Sequence, residues 1–588
     1  MCIAVTGKGI VSAIGIDEHE VWQSIMDAKS GVAVPEYLRT SHKELLCGEV
    51  KRSNDFFKEK LHIAKDKILS RTALFMIYAI RDAIRQAGID DEELHRRRVV
   101  LVVGTTVGGM DLTENVWATL DSEPDNVKIL LHHQTGDCTE SVAEYFGFVD
   151  ESMTIATACS SAANAIITGA ELLKANKADI VIAGGGEALT RFHLNGFNSL
   201  MILDKEQCRP FDGKRAGLNL GEGAAFVVLE NVNNGTKRAA KVQAYLTGYA
   251  NRCDAYHQTA SSPDGEGAYL AMTDAMKSAG LSPSQIDYIN AHGTGTPNND
   301  LSESNALRRA FPDAIPPVSS TKPFTGHTTS ASGAIEAVIC IMALDNGYVP
   351  QNLGFKSADD GCITPVASGF RTSLKNVMCS SFGFGGNDST LIFSSAPTTG
   401  EVRHYDLHSQ ITVAGHHKFT DNGEIDEIKQ YLKPAEYRRM NQILRVSLLT
   451  SLKALKNAGI EKPDAIITAT SLGCWEYTEY LLDQLATEGE TTQKPSYFMQ
   501  STHNTIGSNI AAYLKCHGYN TTFSHGEKSM DLAMKDAENL LVTGQCKNVL
   551  VGCHYETSPR LRELMHRLGV DNLQPLYSEA FIMSIERT

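Results

Sequence analysis

One cysteine lies where its surroundings would favour a nucleophile. The stretch Thr154-Ile-Ala-Thr-Ala-Cys-Ser-Ser-Ala-Ala-Asn-Ala-Ile-Ile-Thr168 begins like a buried strand and ends like a buried helix, with Cys159 at the turn. Free N–H groups and the positive end of a helix dipole favour the thiolate, which is the nucleophilic form. The small residues Ala158, Ser160, Ser161, Ala162 and Ala163 are expected to leave room for a bulky acyl group. The alternative is that Cys159, one of 13 cysteines, only packs in a core.

Two later histidines, His292 and His327, follow or end glycine-containing turns, and Lys322 precedes the second of them. A thiolate alone would also suit a thiolase, a protease or a redox site. A protease requires one histidine with an orienting Asn or Asp, and a thiolase-type enzyme requires a second cysteine. Paired imidazole N–H donors suit the oxyanion of a thioester enolate. Decarboxylation of a malonyl thioester produces that enolate without a base.

Buried strands alternate with helices along the chain, which predicts an α/β fold with helices covering a sheet. Apolar spacing predicts a helix from Ser70 to Gly88, and Val99–Gly104 and Asp179–Gly186 are typical of strands buried on both faces. Val5–Gly15 predicts a strand, a glycine turn and a helix start. A second α/β half is predicted to begin near Val242.

The composition is that of a large acidic protein of the cytoplasm. Its 588 residues allow two or more domains, and a net charge of -15 with a pI of about 5.7 argues against nucleic acid or a membrane surface as the main partner. The cysteines show no CxxC pair and no zinc-ligand spacing, which predicts reduced thiols and no metal site. The N-terminus is interpreted as a core strand, and no apolar run approaches membrane-spanning length.

The last third of the chain repeats the first. Ser394–Gly400 has linker composition and predicts a domain boundary. Beyond it, Ala454–Ile460 matches Ala83–Ile89, and further matches continue only as far as the first half. The predicted organisation is therefore a domain at 1–397 with halves 1–235 and 236–397, followed by a half-domain copy at 402–588.

The copy lacks a nucleophile. The match of Ala537 to Ala170 places Gly526 opposite Cys159, and the copy ends before any counterpart of His292. The copy is therefore predicted to be structural or to shape a substrate path. Two of its histidines are interpreted as turn or core residues: His503 and His525.

Residues 1–397 resemble the decarboxylating β-ketoacyl synthases of the elongating type, in the thiolase superfamily. The motifs that carry the resemblance occur in the family's order. They are Thr157-Ala-Cys-Ser-Ser161, Cys208-Arg-Pro-Phe-Asp212, Gly221-Glu-Gly223, Asn290-Ala-His-Gly-Thr-Gly-Thr-Pro297 with Asp300 and Glu303, Thr321-Lys-Pro-Phe-Thr-Gly-His327, and Ser381-Phe-Gly-Phe-Gly-Gly386.

The resemblance implies a role for each central residue. Cys159 would take the acyl chain from acyl carrier protein as a thioester. His292 and His327 would hydrogen-bond the malonyl thioester carbonyl and stabilise the enolate. Lys322 and Glu303 would hold the histidines and the local charge network. The alternative for Lys322 is a solvated surface lysine.

The same resemblance implies further contacts with the substrate. The backbone N–H groups of Cys159 and Phe384 would form an oxyanion hole, and Phe384 would gate the acyl pocket. Thr294 and Thr296 would bind the pantetheine arm, although they could instead only stabilise a turn. Val107 lies at the implied pocket wall, where the family often has a larger aliphatic residue, which suggests a roomier channel.

The implied partner is acyl carrier protein, which brings its own phosphopantetheine, so no cofactor and no metal are expected. Lys65, Lys67 and Arg71 fall where the family docks this acidic partner, with a solvated charged face as an equal alternative. One departure from the family pattern is Asn387-Asp388 after the glycine loop, where Thr-Asn is usual.

The implied fold is thiolase-like, with duplicated α/β halves in five layers, αβαβα, and an extra thiolase-like half at 402–588. That half resembles a degenerate ketosynthase of the kind called chain-length factor, which lacks the cysteine and lines the end of the acyl tunnel. Synthase dimers join through their N-terminal halves. We therefore expect a homodimer or pseudo-dimer in which this half bears on product length.

The leading hypothesis is a β-ketoacyl-acyl carrier protein synthase, an acyltransferase acting by decarboxylative Claisen condensation. It would serve fatty acid, aryl polyene or polyketide assembly, and the fused half-copy favours a specialised pathway. One alternative is a non-elongating malonyl decarboxylase or initiation enzyme on the same fold. Another is a non-catalytic scaffold that binds carrier protein.

Overall fold

The computed structural model describes residues 2–232, 241–359, 361–398, 410–420, 422–490, 493–571 and 573–586. The predicted boundary between the halves at 235 and 236, the end of the Ser394–Gly400 linker and the start of the copy at 402 lie outside the described residues. Within the described part of the chain, none of the helices is both long and apolar enough to cross a membrane.

The first half alternates strands and helices in the order predicted for an α/β unit. Its elements are β1 (Ile3–Val11), α1 (Glu18–Met26), β2 (Val32–Ala33), β3 (Cys47–Gly48), α2 (Asn54–Lys60), α3 (Arg71–Ala87), α4 (Asp91–Arg96), β4 (Val99–Gly104), α5 (Met110–Val116), α6 (Thr135–Phe146), β5 (Glu151–Ile155), α7 (Ser161–Lys174), β6 (Ile180–Glu187), α8 (Arg191–Ser199) and β7 (Gly223–Asn231).

The second half contributes as many strands to the large sheet as the first half and carries His292 and His327. Its elements are β8 (Ala244–Cys253), α9 (Glu266–Ala279), β9 (Tyr288–Asn290), α10 (Pro297–Ala310), β10 (Val318–Ser319), α11 (Lys322–Thr325), α12 (Ser332–Asn346), β11 (Tyr348–Val349), β12 (Phe370–Arg371), β13 (Asn376–Gly383) and β14 (Asn387–Ser394).

The C-terminal part, which we call the appended half (410–586), repeats the element order of the first half. Its elements are β15 (Gln410–Lys418), α13 (Pro434–Arg439), α14 (Gln442–Ala458), β16 (Ala465–Ala469), α15 (Trp475–Glu488), α16 (Pro495–Ser501), α17 (Thr505–Leu514), β17 (Tyr519–Phe523), α18 (Ser529–Val542), β18 (Asn548–Glu556), α19 (Pro559–Arg567) and β19 (Leu576–Glu586).

Fifteen of the described strands form one long mixed sheet in the order β10-β9-β13-β14-β8-β1-β7-β6-β4-β5-β17-β16-β18-β19-β15, and the pairs β2-β3 and β11-β12 form two small separate sheets. The sheet curls between β8 and β1, so that α7 and α12 pack against strands of both halves and against each other. α3 covers the outer face of the first half, and α9 and α10 cover the second. These are the five layers expected of a thiolase-like fold, and that prediction is confirmed.

Close packing explains several glycines that the sequence left ambiguous. The predicted order of strand, glycine turn and helix in Val5–Gly15 is confirmed: β1 ends at Val11, backbone hydrogen bonds between Ser12 and Gly15 close the turn, and α1 begins at Glu18. A Cβ at Gly7 or Gly9 would lie 2.0 Å from a carbonyl oxygen of α3. These glycines therefore let a helix lie directly on the strand rather than turn the chain.

The appended half joins the first half through counterpart strands. β5 pairs antiparallel with β17, and two reciprocal bonds close the contact. The Ala156 N–H donates to the Thr522 carbonyl at 2.9 Å, and the Ser524 N–H donates to the Thr154 carbonyl at 3.0 Å. Matching positions thus contact each other in both directions, as in an isologous dimer interface.

One face of α18 shows why the half-copy is stable without a second half. Its counterpart α7 is buried at every position from Ser161 to Leu173. On α18, by contrast, three charged residues are exposed: Asp531, Lys535 and Glu538. Charges on this face solvate the surface that a second sheet would otherwise cover.

Candidate functional site

Cys159 lies in a short 3-10 turn between β5 and α7. The residue before it, Ala158, has a positive φ of 51°. This is an unusual conformation for alanine, and strain of this kind is typical of functional turns. A Cβ at Gly104 would lie 2.3 Å from the backbone nitrogen of Ala162, so the start of α7 rests directly on β4. The thiol is therefore held in place by the backbone, with 4% of its surface exposed.

The small residues near Cys159 serve packing rather than the space predicted for an acyl group. Cβ atoms added at Gly185 and Gly333 would each lie 2.8 Å from the Cβ atoms of Ala162 and Ala163, respectively. The hydroxyl of Ser161 donates to the Ala158 carbonyl at 2.6 Å. Neighbouring elements pack directly against Ala162 and Ala163, and Ser161 bonds within its own turn, so these three residues do not provide the predicted acyl room.

The structure brings the predicted histidines to the cysteine. Sγ of Cys159 and one ring nitrogen each of His292 and His327 lie within 4.8 Å of one another. The two imidazole rings are 5.4 Å apart between centroids and nearly perpendicular. His292 follows β9, and His327 follows α11, so two separate elements of the second half deliver them across the layer to the start of α7.

Hydrogen bonds assign the proton on each imidazole. The Thr329 backbone N–H lies 3.3 Å from Nδ1 of His327, so Nδ1 accepts and Nε2 carries the hydrogen. Nζ of Lys322 lies 3.4 Å from Nδ1 of His292, and an ammonium group only donates, so Nε2 carries the hydrogen here too. Burial and the charge of Lys322 hold the pKa of both histidines well below the usual value. The pair therefore offers two neutral Nε2–H donors.

Lys322 is buried beside His292, which excludes the alternative of a solvated surface lysine. It donates to the His292 carbonyl oxygen and forms an ion pair with Glu336. Glu303 instead accepts hydrogen bonds from the backbone N–H groups of His292 and Gly293, each at 2.8 Å. Burial raises the pKa of both glutamates to about 7. Glu303 thus fixes the turn that carries His292, while Glu336 is the carboxylate partner of Lys322.

The cysteine is not the ready thiolate that its helix predicts. The backbone N–H groups of Phe384 and of Cys159 itself act on the sulfur and lower its pKa, as does Lys322. Burial outweighs all three and raises the pKa of the Cys159 thiol to about 11. The prediction that this position favours thiolate over thiol is therefore wrong: burial keeps Cys159 as the thiol at neutral pH. The same two N–H groups can serve an acyl oxyanion.

Alkylation of Cys159 by iodoacetamide is expected to accelerate about tenfold per pH unit between pH 7 and pH 10. Below a pKa of about 11, each unit of pH raises the thiolate fraction tenfold. Peptide mass spectrometry of the modified cysteine gives the rate, with free glutathione as the reference thiol. A rate that levels off near pH 7 would show that the helix N-terminus outweighs desolvation.

Phe384 is held from both sides of the interface with the appended half. Its ring stacks on Phe197 with centroids 5.6 Å apart. Its carbonyl accepts a hydrogen bond from the Asn504 amide at 2.8 Å, and the same amide donates to Asn387 at 2.7 Å. Asn387 in turn donates to the Asn520 carbonyl at 3.0 Å. The departure from the usual Thr-Asn sequence therefore provides contacts to the appended half.

The remaining predicted site residues are placed as follows. The hydroxyls of Thr294 and Thr296 lie 2.9 Å apart and hydrogen-bond each other within the turn before α10. Val107 is buried at the wall of a cavity, and its N–H donates to Glu187 at 2.8 Å. Lys65 and Lys67 are exposed.

Arg71 cannot serve as a docking residue. It is buried at the start of α3, where it forms an ion pair with Glu222 and donates to the Val50 carbonyl. Opposite charge from Glu222 raises its pKa despite burial. The prediction of Arg71 as part of a carrier-protein surface is therefore wrong, because its guanidinium ties three segments of the first half together.

The copy's register also differs from the prediction. Ala158 and Gly526 each begin a 3-10 turn with positive φ, at 51° and 59°, and the helices α7 and α18 follow each turn directly. Glu527, rather than the predicted Gly526, therefore stands opposite Cys159. The copy still offers no thiol at this position.

Three site residues were missed at the sequence level: Glu336, Asn504 and Glu187. Glu336 had a readable signal, since it is the single charged residue in the apolar stretch of α12 before Asp345. Glu187 accepts from Ser330, Thr106 and Val107, which joins the loop after His327 to the cavity wall. Asn504 had no signal, because its partner lies 120 positions away in sequence.

Comparison with known proteins agrees with this geometry. The family model for the β-ketoacyl synthase N-terminal domain matches residues 2–234 and 389–570, and the model for the β-ketoacyl synthase C-terminal domain matches residues 243–356. This chain belongs to the β-ketoacyl synthase family. The first N-terminal match and the C-terminal match both lie within residues 1–397, and the second N-terminal match overlaps most of the appended half.

The similar curated proteins align with about two thirds of this chain. The 3-oxoacyl-[acyl-carrier-protein] synthase 2 of Coxiella burnetii is 33% identical over 414 residues, which are 67% of this chain and 98% of that relative. The protein of the same name from Synechocystis is 33% identical over 412 residues, covering 66% of this chain and 97% of that relative.

Similar solved structures include ketosynthases paired with chain length factors. The ishigamide ketosynthase/chain length factor has a TM-score of 0.64 and 27% identity over 67% of this chain and 99% of that chain. The ketosynthase ApeO in complex with its chain length factor ApeC from Xenorhabdus doucetiae has a TM-score of 0.58 and 28% identity, covering 67% and 98%. The PfaC keto synthase-chain length factor aligns over 99% of this chain and 78% of that chain, with a TM-score of 0.79. At 16% identity, this likeness shows the fold alone.

Proposed function

We propose that this synthase lengthens an acyl chain held on Cys159 by decarboxylative Claisen condensation with malonyl-acyl carrier protein, in fatty acid or polyketide synthesis. The observation that carries the proposal is one cluster. A buried thiol lies within 4.8 Å of ring nitrogens of His292 and His327, and both imidazoles are assigned as Nε2–H donors. A cysteine with two neutral imidazole donors suits a thioester enolate better than it suits peptide hydrolysis.

In the first step, the sulfur of Cys159 attacks the acyl carbonyl carbon of acyl-carrier protein. The N–H groups of Cys159 and Phe384 stabilise the oxyanion that forms. The bond from the acyl carbon to the carrier sulfur then breaks. Because the free cysteine holds its proton at neutral pH, that proton must leave during acylation, and overall the released carrier thiol receives it.

In the second step, malonyl-carrier protein loses carbon dioxide. The electron pair of the broken C–C bond forms an enolate. The enolate oxygen accepts hydrogen bonds from the Nε2–H groups of His292 and His327. The enolate carbon attacks the acyl carbon on Cys159, the carbon–sulfur bond breaks, and one proton taken up from solvent restores the thiol. The products are a β-ketoacyl-carrier protein and carbon dioxide.

No metal or cofactor is part of this proposal, because decarboxylation itself supplies the electron pair. A cysteine with two histidines could also ligate zinc. Activity that survives dialysis against a chelator supports the metal-free proposal, and activity restored only by added metal would refute it.

We propose that the appended half occupies the position that the N-terminal half of a second subunit occupies in a synthase dimer. Reciprocal pairing of β5 with β17 and the absence of a thiol opposite Cys159 support this role. The ketosynthase–chain length factor titles of similar structures agree with it. On this proposal, residues 1–397 are the catalytic domain, residues 402–588 contribute to a pseudo-dimer, and the exposed Lys65 and Lys67 face the carrier protein.

The proposal is tested by incubating the protein with acyl-carrier protein and then with radiolabelled malonyl-carrier protein. We expect an acyl adduct on Cys159 by mass spectrometry, followed by a labelled β-ketoacyl product. Carbon dioxide release without a ketoacyl product would indicate a non-elongating decarboxylase. Carrier protein binding with neither adduct nor release would indicate a scaffold.

A further inference from the structure

A small cavity lies between the first half and the appended half, beside the aromatic ring of Phe192. Its volume is about 40 Å³, and we call it the histidine cavity, since its lining includes three histidines together with Val107 and Leu472. Two of the histidines, His133 and His193, belong to the first half, and His503 belongs to the appended half. The cavity is therefore complete only when the appended half is in place.

A continuous series of ring contacts leads from the reactive sulfur to this cavity. The backbone N–H of Phe384 acts on Sγ of Cys159, and the Phe384 ring stacks on Phe197. Phe197 in turn meets the ring of His193 at a centroid distance of 6.4 Å. The histidine cavity is thus connected to the sulfur through the Phe384 backbone and two aromatic rings, those of Phe384 and Phe197.

The three imidazoles are uncharged and have unused hydrogen-bonding atoms. Burial lowers the pKa of each of them to about 4, and the neighbouring His503 adds to this for the other two. Nδ1 of His133 lies 2.9 Å from Oγ1 of Thr113, and Nδ1 of His193 lies 3.3 Å from Oγ1 of Thr190. The other ring nitrogens of the trio have no hydrogen-bond partner among the residues that the structure describes, although each side chain keeps some accessible surface.

We infer that the histidine cavity receives an oxygen-bearing segment, a keto or hydroxyl group, of the acyl chain on Cys159. The inference rests on the proposed function and names the class of its acyl substrate. A neutral imidazole offers one donor and one acceptor, which match a hydroxyl or a carbonyl oxygen. A saturated chain would remove water from these imidazoles and return no hydrogen bond, which is unfavourable in a buried site.

The cavity also adjoins space for a longer chain. His133, Gln134 and Leu472 line both the histidine cavity and a second cavity of about 630 Å³. The second cavity lies largely within the appended half and is walled by apolar residues such as Trp475 and Met530. His133 therefore lies between the two cavities, and on our inference the trio selects for oxygen at one position along a chain that extends from one cavity towards the other.

The test compares synthetic pantetheine thioesters of ten-carbon acyl chains that differ only in oxygen content. One chain is unsubstituted, and the others carry a single keto or hydroxyl group at successive positions from carbon 5 to carbon 9. The rate of Cys159 acylation is followed by mass spectrometry. At one position or more, we expect the oxygenated chain to be favoured about tenfold over the unsubstituted chain.

Substitution of His503 then links the preference to the cavity. We expect His503→Leu to reduce the preference to within about twofold and His503→Gln, which keeps a donor and an acceptor, to retain part of it. His554→Leu, which removes a buried imidazole away from the cavity, is the matched control and should leave the preference unchanged.

Two outcomes would overturn the inference while leaving the proposed function intact. One is equal acylation by the unsubstituted chain and by every oxygenated chain. The other is an oxygen preference that His503→Leu does not reduce. If no thioester acylates Cys159 at all, the proposed function itself fails, and the inference about its substrate fails with it.

Discussion

Replacing Cys159 by glutamine is expected to abolish condensation while carbon dioxide release continues. Without the sulfur there is no acyl thioester to receive the enolate, so we expect the β-ketoacyl product to fall more than about a thousandfold. In the proposed mechanism, decarboxylation needs the Nε2–H donors of His292 and His327, and neither residue is changed. The measurement is labelled carbon dioxide and labelled ketoacyl product from the same incubation with malonyl-carrier protein.

Two further variants make this result specific. His327→Ala removes one enolate donor and is expected to lower both carbon dioxide release and condensation, by about a hundredfold or more. Cys138→Ala removes another buried thiol, which contacts Ser70 rather than His292 or His327. This variant should change neither carbon dioxide release nor condensation. Ketoacyl product from the Cys159→Gln protein would exclude Cys159 as the acyl carrier.

Local pattern was enough to predict elements whose boundaries are set by their own residues. The helix predicted from Ser70 to Gly88 is α3, with Ser70 as its N-cap and Gly88 in the left-handed conformation at its end. The strand Val99–Gly104 was predicted with its observed bounds. Caps and continuous apolar runs are local signals. The role of Gly7 and Gly9 could not be predicted, because only the approach of α3 explains it.

The site was predictable to the extent that its residues lie in motifs. Cys159, His292 and His327 meet as the motifs imply. The contacts that hold them could not be predicted, because they join separate segments, although Glu336 itself was readable as a lone charge in the apolar part of α12. Glu336 pairs with Lys322 across a turn, and Asn504 reaches the gating loop from the appended half.

The thiolate prediction for Cys159 failed because the stabilisation by the helix N-terminus is smaller than the cost of burying the charge. A helix N-terminus typically contributes about 0.3–1 kcal/mol to a nearby negative charge. Burial moves the pKa of the Cys159 thiol from 9.0 to about 11, and each unit corresponds to about 1.4 kcal/mol. Desolvation therefore outweighs the helix, and a sequence pattern shows the helix but not the burial.

Truncation after residue 398 is expected to convert the protein into a homodimer. The cut frees the edge of β5, where Thr154 and Ala156 now exchange hydrogen bonds with Thr522 and Ser524. These four residues are matching positions of the two copies, so a second truncated chain can offer β5 to β5 in the same reciprocal pattern. Light scattering coupled to size exclusion gives the mass of both proteins. A truncated protein that stays monomeric would contradict the isologous interpretation.

The truncated dimer is also expected to condense more slowly and to give a different range of product lengths. Asn504 would no longer hold the Phe384 carbonyl, since Gln134, the residue at the corresponding helix start, has a longer side chain. The Phe498 ring, which packs against Gly196 and Phe197 in the intact chain, would be lost as well. Displacement of a gating group by about 1 Å can lower a rate by about a hundredfold, so we expect at least a tenfold fall in kcat/KM.

Asn504→Ala in the full-length protein separates these two effects. It removes the amide that holds the gating loop but leaves the β5–β17 pairing intact, so the mass should not change while kcat/KM falls. If the truncated dimer and the full-length Asn504→Ala protein both keep wild-type kinetics and product lengths, then the appended half only protects an exposed strand. If Asn504→Ala reproduces the kinetic loss without a change in mass, the appended half contributes to the active site as well as to the interface.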